Sequence, residues 1–193
     1  MKRVIGLMLL LIFLVAACGG PKIYREGQEK PRDLSGRWND TDSKLVAEEM
    51  IKDALAKPWV ANFRGKHSKN PTVIVGTVLN KSHEHINTET FIKDMERELT
   101  NSGSVTFVAT KSERSEVREE RSDQADFSDS ETIKHFKKEI GADYMLKGTI
   151  NTILDSQEGL KVVFYQVDLE LIDVETNVKV WLGQKKYRKV IEK

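Results

Sequence analysis

Apolar side chains recur at helical spacing in several segments after residue 40. In the first segment, Val46, Met50 and Ala54 lie four residues apart with charged residues between them, and Pro58 ends the pattern. Such segments predict helices, and one strongly charged segment is expected to be helical as well. We expect the amphipathic helices at residues 40–56, 87–103 and 130–141, and the charged helix at residues 111–125. The polar residues 63–70 are expected to form a loop.

Runs of β-branched and alternating residues predict the strands. Short apolar runs at residues 72–79 and 105–109 flank a predicted helix, so these two strands should be parallel and joined by a right-handed crossover. Longer runs at residues 144–154, 160–172 and 178–187 are separated only by short turns, which predicts an antiparallel meander. We therefore expect a single α+β domain in which helices pack on a mixed sheet of about five strands.

The N-terminus has the pattern of a secretory signal followed by a lipidation site. Lys2 and Arg3 precede an apolar run at residues 4–16, which is shorter than the roughly 20 residues that a membrane-spanning helix needs. Small residues then lead to Cys18, and this arrangement resembles the bacterial lipobox, in which the cysteine is acylated. The alternative is an ordinary signal peptide with an unrelated cysteine. By resemblance to sorting in Gram-negative bacteria, Gly19 favours the outer membrane.

These patterns divide the chain into parts with different roles. We expect a lipoprotein signal peptide at residues 1–17, the lipidated cysteine and a flexible periplasmic tether at residues 18–40, and a globular domain at residues 41–193. The tether is expected because this segment has few apolar residues and carries Gly, Pro and charge. Residues 19–40 span at most ~70–80 Å when fully extended.

Composition excludes several functions. Lys and Arg total 31 while Asp and Glu total 30, so the net charge of +1 provides no basic field to hold nucleic acid. The single cysteine excludes a disulfide within the chain and a cysteine-rich metal site. The sequence carries no P-loop, dinucleotide-binding, nucleophile-elbow or zinc-protease motif. We therefore expect neither an enzyme nor a bound cofactor.

One short motif contains residue types that bind metals, His83-Glu84-His85. In an extended segment His83 and His85 would point to the same side, and with a third ligand such as His67 they could hold Zn²⁺. The alternative is a solvent-exposed loop between a strand and a helix. Because the motif lacks a recognisable ligand set, we predict no metal site.

The charged helix separates its charges into two stripes. Arg114, Arg118 and Arg121 fall on one side, and glutamates fall on another. The arginines could dock on an acidic surface of a partner, where their bidentate hydrogen bonds would add specificity. The alternative is that each stripe meets an opposite charge within the domain or is solvated.

The predicted meander collects polar residues on one face of the sheet. Because side chains alternate along a strand, the apolar face should pack on helices and leave the polar face open. We assign to partner binding Lys147 and Thr149 on one strand and Gln166, Asp168 and Glu170 on the next. The alternative is an ordinary solvated sheet face.

Several stretches of the chain resemble a known family. They follow the lipobox and the polar tether, and read TVIVGTVLNKSHEHINTETFIKDMERELTNSG, VTFVA, IGADYMLKGTI and VFYQVDLELIDVETNVKVWLGQKK. From about residue 43 to residue 186 this pattern resembles the LpoB-type lipoproteins, outer-membrane activators of class A penicillin-binding proteins. Similar folds occur in the N-terminal domain of a periplasmic Tol component and in curli-secretion lipoproteins. The tether here is shorter than the Pro-rich tether of the best-studied members.

The resemblance implies a regulator of peptidoglycan synthesis that carries out no chemistry itself. We expect a lipoprotein on the periplasmic face of the outer membrane that binds and stimulates a class A penicillin-binding protein, a bifunctional peptidoglycan synthase. We expect a monomer. The alternative is an accessory lipoprotein of an outer-membrane secretion or assembly complex.

Overall fold

The computed structural model describes residues 33–129, 131–132, 134 and 139–192. Within them four helices and five strands form the domain. The helices are α1 (Asp40–Leu55), α2 (Pro58–His67), α3 (Thr88–Asn101) and α4 (Lys111–Phe127). The strands are β1 (Thr72–Lys81), β2 (Thr106–Phe107), β3 (Tyr144–Gln157), β4 (Leu160–Asp173) and β5 (Lys179–Glu192).

The strands form one mixed sheet in the order β2-β1-β3-β4-β5. Strand β1 pairs in parallel with β2 on one side and with β3 on the other. Strands β3, β4 and β5 form the antiparallel meander that their short connections predict. The prediction of a single α+β domain with a five-stranded mixed sheet is therefore confirmed.

Two helix starts follow from local capping. The Asn39 side chain accepts a hydrogen bond from the backbone of Asp42, and the Asp42 carboxylate accepts one from the backbone of Asn39. This reciprocal pair forms a capping box, which fixes the start of α1 at Asp40. Asn87 caps α3 by accepting a hydrogen bond from the backbone N–H of Glu89.

The predicted polar loop at residues 63–70 is wrong over most of its length, because α2 extends to His67. Pro58 ends α1 and also occupies the first turn of α2, a position where its missing N–H has no cost. Trp59 and Phe63 are buried and pack edge-on against Tyr144, which gives this otherwise polar helix its contact with the sheet.

Two further elements differ from the prediction. Strand β2 contains only Thr106–Phe107, although the apolar run predicted residues 105–109. Half of the residues of the helix expected at residues 130–141 lie outside the described residues. None of the described ones, residues 131, 132, 134 and 139–141, is helical, and Ile140 is 63% exposed.

The core lies between the helices and one face of the sheet. Along β4 the odd-numbered side chains from Val163 to Leu171 are buried, as the alternation of that segment predicts. They pack with buried side chains of α1, such as Ile51, and of α3, such as Phe91. The even-numbered side chains of β4 therefore belong to the opposite face, which holds the candidate site.

Candidate functional site

The polar residues assigned to partner binding do share the open face of the sheet. The register of β3 and β4 places Lys147 opposite Glu170 and Thr149 opposite Asp168. Gln166 lies two residues from Asp168 on the same strand and therefore on the same face. The alternation of the two strands and the pairing of the meander were together sufficient to bring these five side chains together.

Amide side chains hold Asp168 at the centre of this face. Its Oδ2 accepts a 2.7 Å hydrogen bond from Gln166 Nε2, and its Oδ1 accepts a 2.6 Å hydrogen bond from Gln184 Nε2 on β5. The Asn151 amide lies 3.5 Å from the same carboxylate and 3.2 Å from Thr149 Oγ1. The network fixes the orientation of the carboxylate in the absence of any partner.

Of the two charged residues at the end of this face, Glu170 has an ion-pair partner and Lys147 has none among the described residues. Glu170 forms an ion pair with Lys179 on β5, not with the directly opposite Lys147. Lys147 is exposed and has no ion-pair partner among the residues that the structure describes. Its ammonium group is therefore available to an incoming carboxylate.

A groove of about 630 Å³ crosses the open face beside these residues. Leu79 of β1 and Leu182 of β5 line it from opposite sides and are 49% and 68% exposed. Sequence reasoning missed both leucines. The pairing of β1 with β3 shifts register between Val75 and Val78, so Leu79 projects onto the open face. The glycine at position 76 was the available signal for this bulge.

The structure brings the three arginines of α4 together around one carboxylate. Arg118 donates two hydrogen bonds to Glu139, of 2.8 and 2.7 Å. Arg114 and Arg121 approach the same carboxylate at 3.6 and 3.8 Å. The hydrogen bonds from Arg118 hold the pKa of Glu139 below its usual range. Three cations face one anion, so the cluster keeps an excess of positive charge.

One glutamate of the same helix, Glu113, ties α4 to α3. Lys93 Nζ donates a 2.6 Å hydrogen bond to Glu113, which also accepts one from the backbone N–H of Thr110. These hydrogen bonds, first that of Lys93, lower the pKa of Glu113 to about 2. Glu113 therefore has a structural role: it caps the start of α4 and forms an ion pair with Lys93.

Glu84 organises the loop that carries His83-Glu84-His85. Glu84 Oε1 accepts a 2.7 Å hydrogen bond from the Tyr165 hydroxyl, and Oε2 accepts a 3.0 Å hydrogen bond from the backbone of Trp38. Within the described part of the chain, no group of three or more His, Cys, Asp or Glu side chains is arranged to hold a metal ion. His67, the suggested third ligand, instead stacks on Phe63 at the end of α2.

The segment just before α1 lies on the domain, although the sequence assigned it to the tether. The Trp38 ring lies 6.0 Å from the Phe91 ring, 5.8 Å from that of Tyr165 and 6.0 Å from that of Tyr187. Lys189 of β5 donates a 2.6 Å hydrogen bond to Asp33. These contacts attach residues 33–38 to the edge of the helical layer.

Among the residues that can be described, no helix has the length and apolar character needed to span a membrane.

Comparison with curated proteins gave no significant match. Several solved structures are similar in part. The chain is 18% identical to lipoprotein GNA1162 from Neisseria meningitidis, with a TM-score of 0.41 over 62% of this chain and 83% of that one.

Two other similar solved structures are LpoB C-terminal domains from different bacteria. The LpoB C-terminal domain from Escherichia coli is 16% identical, with a TM-score of 0.38 over 73% of this chain and 97% of that one. The corresponding domain from Salmonella enterica is 16% identical, with a TM-score of 0.35 over 67% and 93%.

The assignment rests on the family model. Residues 42–187 match the model of the peptidoglycan-synthase activator LpoB. The match covers α2, α3 and α4 completely, α1 except for its first two residues, and most of the sheet. A match of this extent covers the open sheet face and α4 alike. The chain therefore belongs to the LpoB family of peptidoglycan-synthase activators.

Proposed function

We propose that this protein is an outer-membrane lipoprotein that binds and stimulates a class A penicillin-binding protein. The single observation that carries the proposal is the family match over residues 42–187. The lipobox-like sequence ending at Cys18 supports the anchor, and several acyl chains give the stable attachment that one chain does not. The protein itself contributes binding and no bond chemistry.

We place the synthase on the open face of the sheet. Protein interfaces bind through a central apolar contact surrounded by polar groups. Leu182 and Leu79 supply exposed apolar surface across the groove, and the oriented Asp168 carboxylate supplies a fixed acceptor. Lys147 adds a cation that can pair with an acidic residue of the synthase.

The arginines of α4 form a second contact in this proposal. Arg118 is already engaged by Glu139, but Arg114 and Arg121 reach that carboxylate only at 3.6 and 3.8 Å. The excess positive charge would attract an acidic surface at longer range and accelerate encounter. The open sheet face would then determine how long the complex persists.

The length of the tether limits how far from the outer membrane the domain can contact the synthase. Residues 33–38 contact the domain, so in this proposal the tether consists of residues 18–32. Fifteen residues reach at most about 50–54 Å. The synthase would therefore have to present its docking surface within that distance of the outer membrane.

A binding experiment with substitutions on the open face tests this assignment. Detergent-solubilised membranes would be passed over the immobilised chain, and captured penicillin-binding proteins would be detected with a fluorescent β-lactam. We expect capture by the native chain and loss of capture by Leu182→Glu. Lys66→Glu, an exposed substitution on α2 away from this face, is the matched control and should capture normally. Equal capture by both variants would show that the synthase does not use the open face.

A further inference from the structure

A second, smaller cavity lies where the segment before α1 meets the loop after β1 and the β3–β4 hairpin. Its volume is about 200 Å³. Most of the polar groups around it are basic or carry N–H donors, and they come from three separate parts of the chain. These groups are Arg37, His83, His85 and Lys161, with Thr152 and Glu84 beside them.

The structure fixes two of these residues through their backbones. Lys189 Nζ donates a 3.0 Å hydrogen bond to the carbonyl oxygen of Arg37, whose neighbour Trp38 packs among aromatic rings. The backbone N–H of His83 donates a 3.0 Å hydrogen bond to Thr152 Oγ1, and His83 Nδ1 lies 2.9 Å from the same hydroxyl. The cavity wall is therefore ordered before any ligand arrives.

The basic groups are not neutralised from within the protein. The Arg37 guanidinium, the Lys161 ammonium and the His85 imidazole have no hydrogen-bond or ion-pair partner among the described residues. Glu84 is the one carboxylate in the lining, and both of its oxygens already accept hydrogen bonds, from Tyr165 and from the backbone of Trp38. Two permanent cations thus face the cavity together with two imidazoles, each of which carries an N–H donor in either protonation state.

We propose that this cavity binds a phosphate group, carried either by free phosphate or a phosphate ester or by a lipid headgroup. A guanidinium matches two phosphate oxygens at once, and an ammonium and imidazoles can donate to the others. With Glu84 counted, Arg37 and Lys161 leave the lining with one net positive charge. A phosphate group also offers more acceptor oxygens to the donors of this lining than a carboxylate does. The site is independent of the proposed synthase contact, because it lies at the opposite end of the meander from Lys147 and Glu170.

Imidazole NMR provides a direct test, because two of the lining residues are histidines. The described contacts all lie within residues 33–192, so a ¹⁵N-labelled chain beginning at Gly19 retains the whole core. Sodium phosphate would be added at constant ionic strength, with sodium chloride as the balancing salt. We expect saturable shifts of the His83 and His85 signals and no shift of His67, which stacks on Phe63 in α2.

Variants and a second ligand make the outcome decisive. Arg37→Gln and Lys161→Gln should each weaken phosphate binding by about tenfold or more. Lys66→Gln, beside a different cavity, is the matched control and should leave affinity unchanged. Dihexanoyl phosphatidic acid, a lipid whose phosphate is a monoester, distinguishes the sources below its critical micelle concentration: saturable shifts with it support a headgroup, and shifts with inorganic phosphate alone support a soluble ligand. Linear shifts shared by His67, or affinity unaltered in both cavity variants, would overturn the proposal.

Discussion

The backbone N–H of Trp38 donates a 3.0 Å hydrogen bond to the carboxylate of Glu84, 46 residues later in the chain. The same carboxylate accepts the hydroxyl of Tyr165, whose pKa is raised by burial and by this hydrogen bond, so the hydroxyl remains a donor. One side chain thus joins the segment before α1, the loop after β1 and the middle of β4. These contacts hold the segment before α1 on the domain.

Replacing Trp38 should detach this segment and weaken the domain. Trp38→Ala removes an aromatic side chain that is partly buried among Phe91, Tyr165 and Tyr187, and we expect a loss of about 2–3 kcal/mol in the free energy of unfolding. Urea denaturation of the chain beginning at Gly19 measures this loss. Leu34→Ala is the control, because Leu34 is 84% exposed and its replacement should change nothing measurable. Similar stability of both variants would contradict the attachment of residues 33–38.

Because Gly183 has no side chain, the Trp181 ring can lie across β5 and contact α1. The Trp181 indole N–H donates a 2.9 Å hydrogen bond to Asp53, and a Cβ on Gly183 would lie 2.1 Å from the indole ring. Gly183→Ala should therefore displace the ring and destabilise the domain by about 1–3 kcal/mol. Gly65→Ala on α2 meets no atom within 4 Å and should instead stabilise by about 0.5–1 kcal/mol, because alanine favours the helix. Thermal unfolding of the two variants should shift in opposite directions.

The ion pair between Lys93 and Glu113 should make stability depend on acid pH. The pKa of Glu113 falls from its usual 4.5 to about 2, so the folded state binds this proton less readily than the unfolded chain does. The contribution is complete above about pH 4.5 and is lost as the pH falls toward 2. Glu113→Gln should reduce stability at pH 7 by about 1 kcal/mol or less, because the pair is partly exposed, and should flatten this part of the pH profile. An unchanged slope between pH 4.5 and 2 would contradict the pairing.

The arginine cluster should control the rate of association. Replacing Arg114, Arg118 and Arg121 together by alanine should slow binding of the synthase by about tenfold at low salt, with little change in the melting temperature. Glu139→Gln is the matched comparison, because it removes the carboxylate that engages these arginines. This variant should associate at the native rate or faster. Stopped-flow or surface-based kinetics at two salt concentrations would measure both. Unaltered association in the triple variant would show that the cluster serves the fold alone.

Features with a strict local period were predictable from the sequence. The alternation along residues 160–172 determines which side chains of β4 enter the core, because a one-residue shift would expose all of them. The short turns of the meander then place Lys147 opposite Glu170 and Thr149 opposite Asp168. The polar face of the candidate site follows from these two facts alone.

Features that depend on distant contacts were not predictable. Helix α2 has only a small apolar side, Trp59, Val60 and Phe63, whose burial depends on contacts with β3. Glu139 lies in the segment at residues 130–141 whose period predicted a helix, and that period gives no reason to place its carboxylate against the arginines of α4. The bulge in β1 reverses the side on which Leu79 lies, and strand alternation alone would have placed that leucine in the core.

The most direct measurement is a glycan-polymerisation assay with fluorescent lipid II and the class A synthases of the same organism. The chain beginning at Gly19 would be added in its native form, as Leu182→Glu and as Lys66→Glu. We expect a several-fold rise in the rate with one synthase, lost in Leu182→Glu and kept in Lys66→Glu. Absence of any stimulation and of binding with every synthase would contradict the assignment of this protein as their activator.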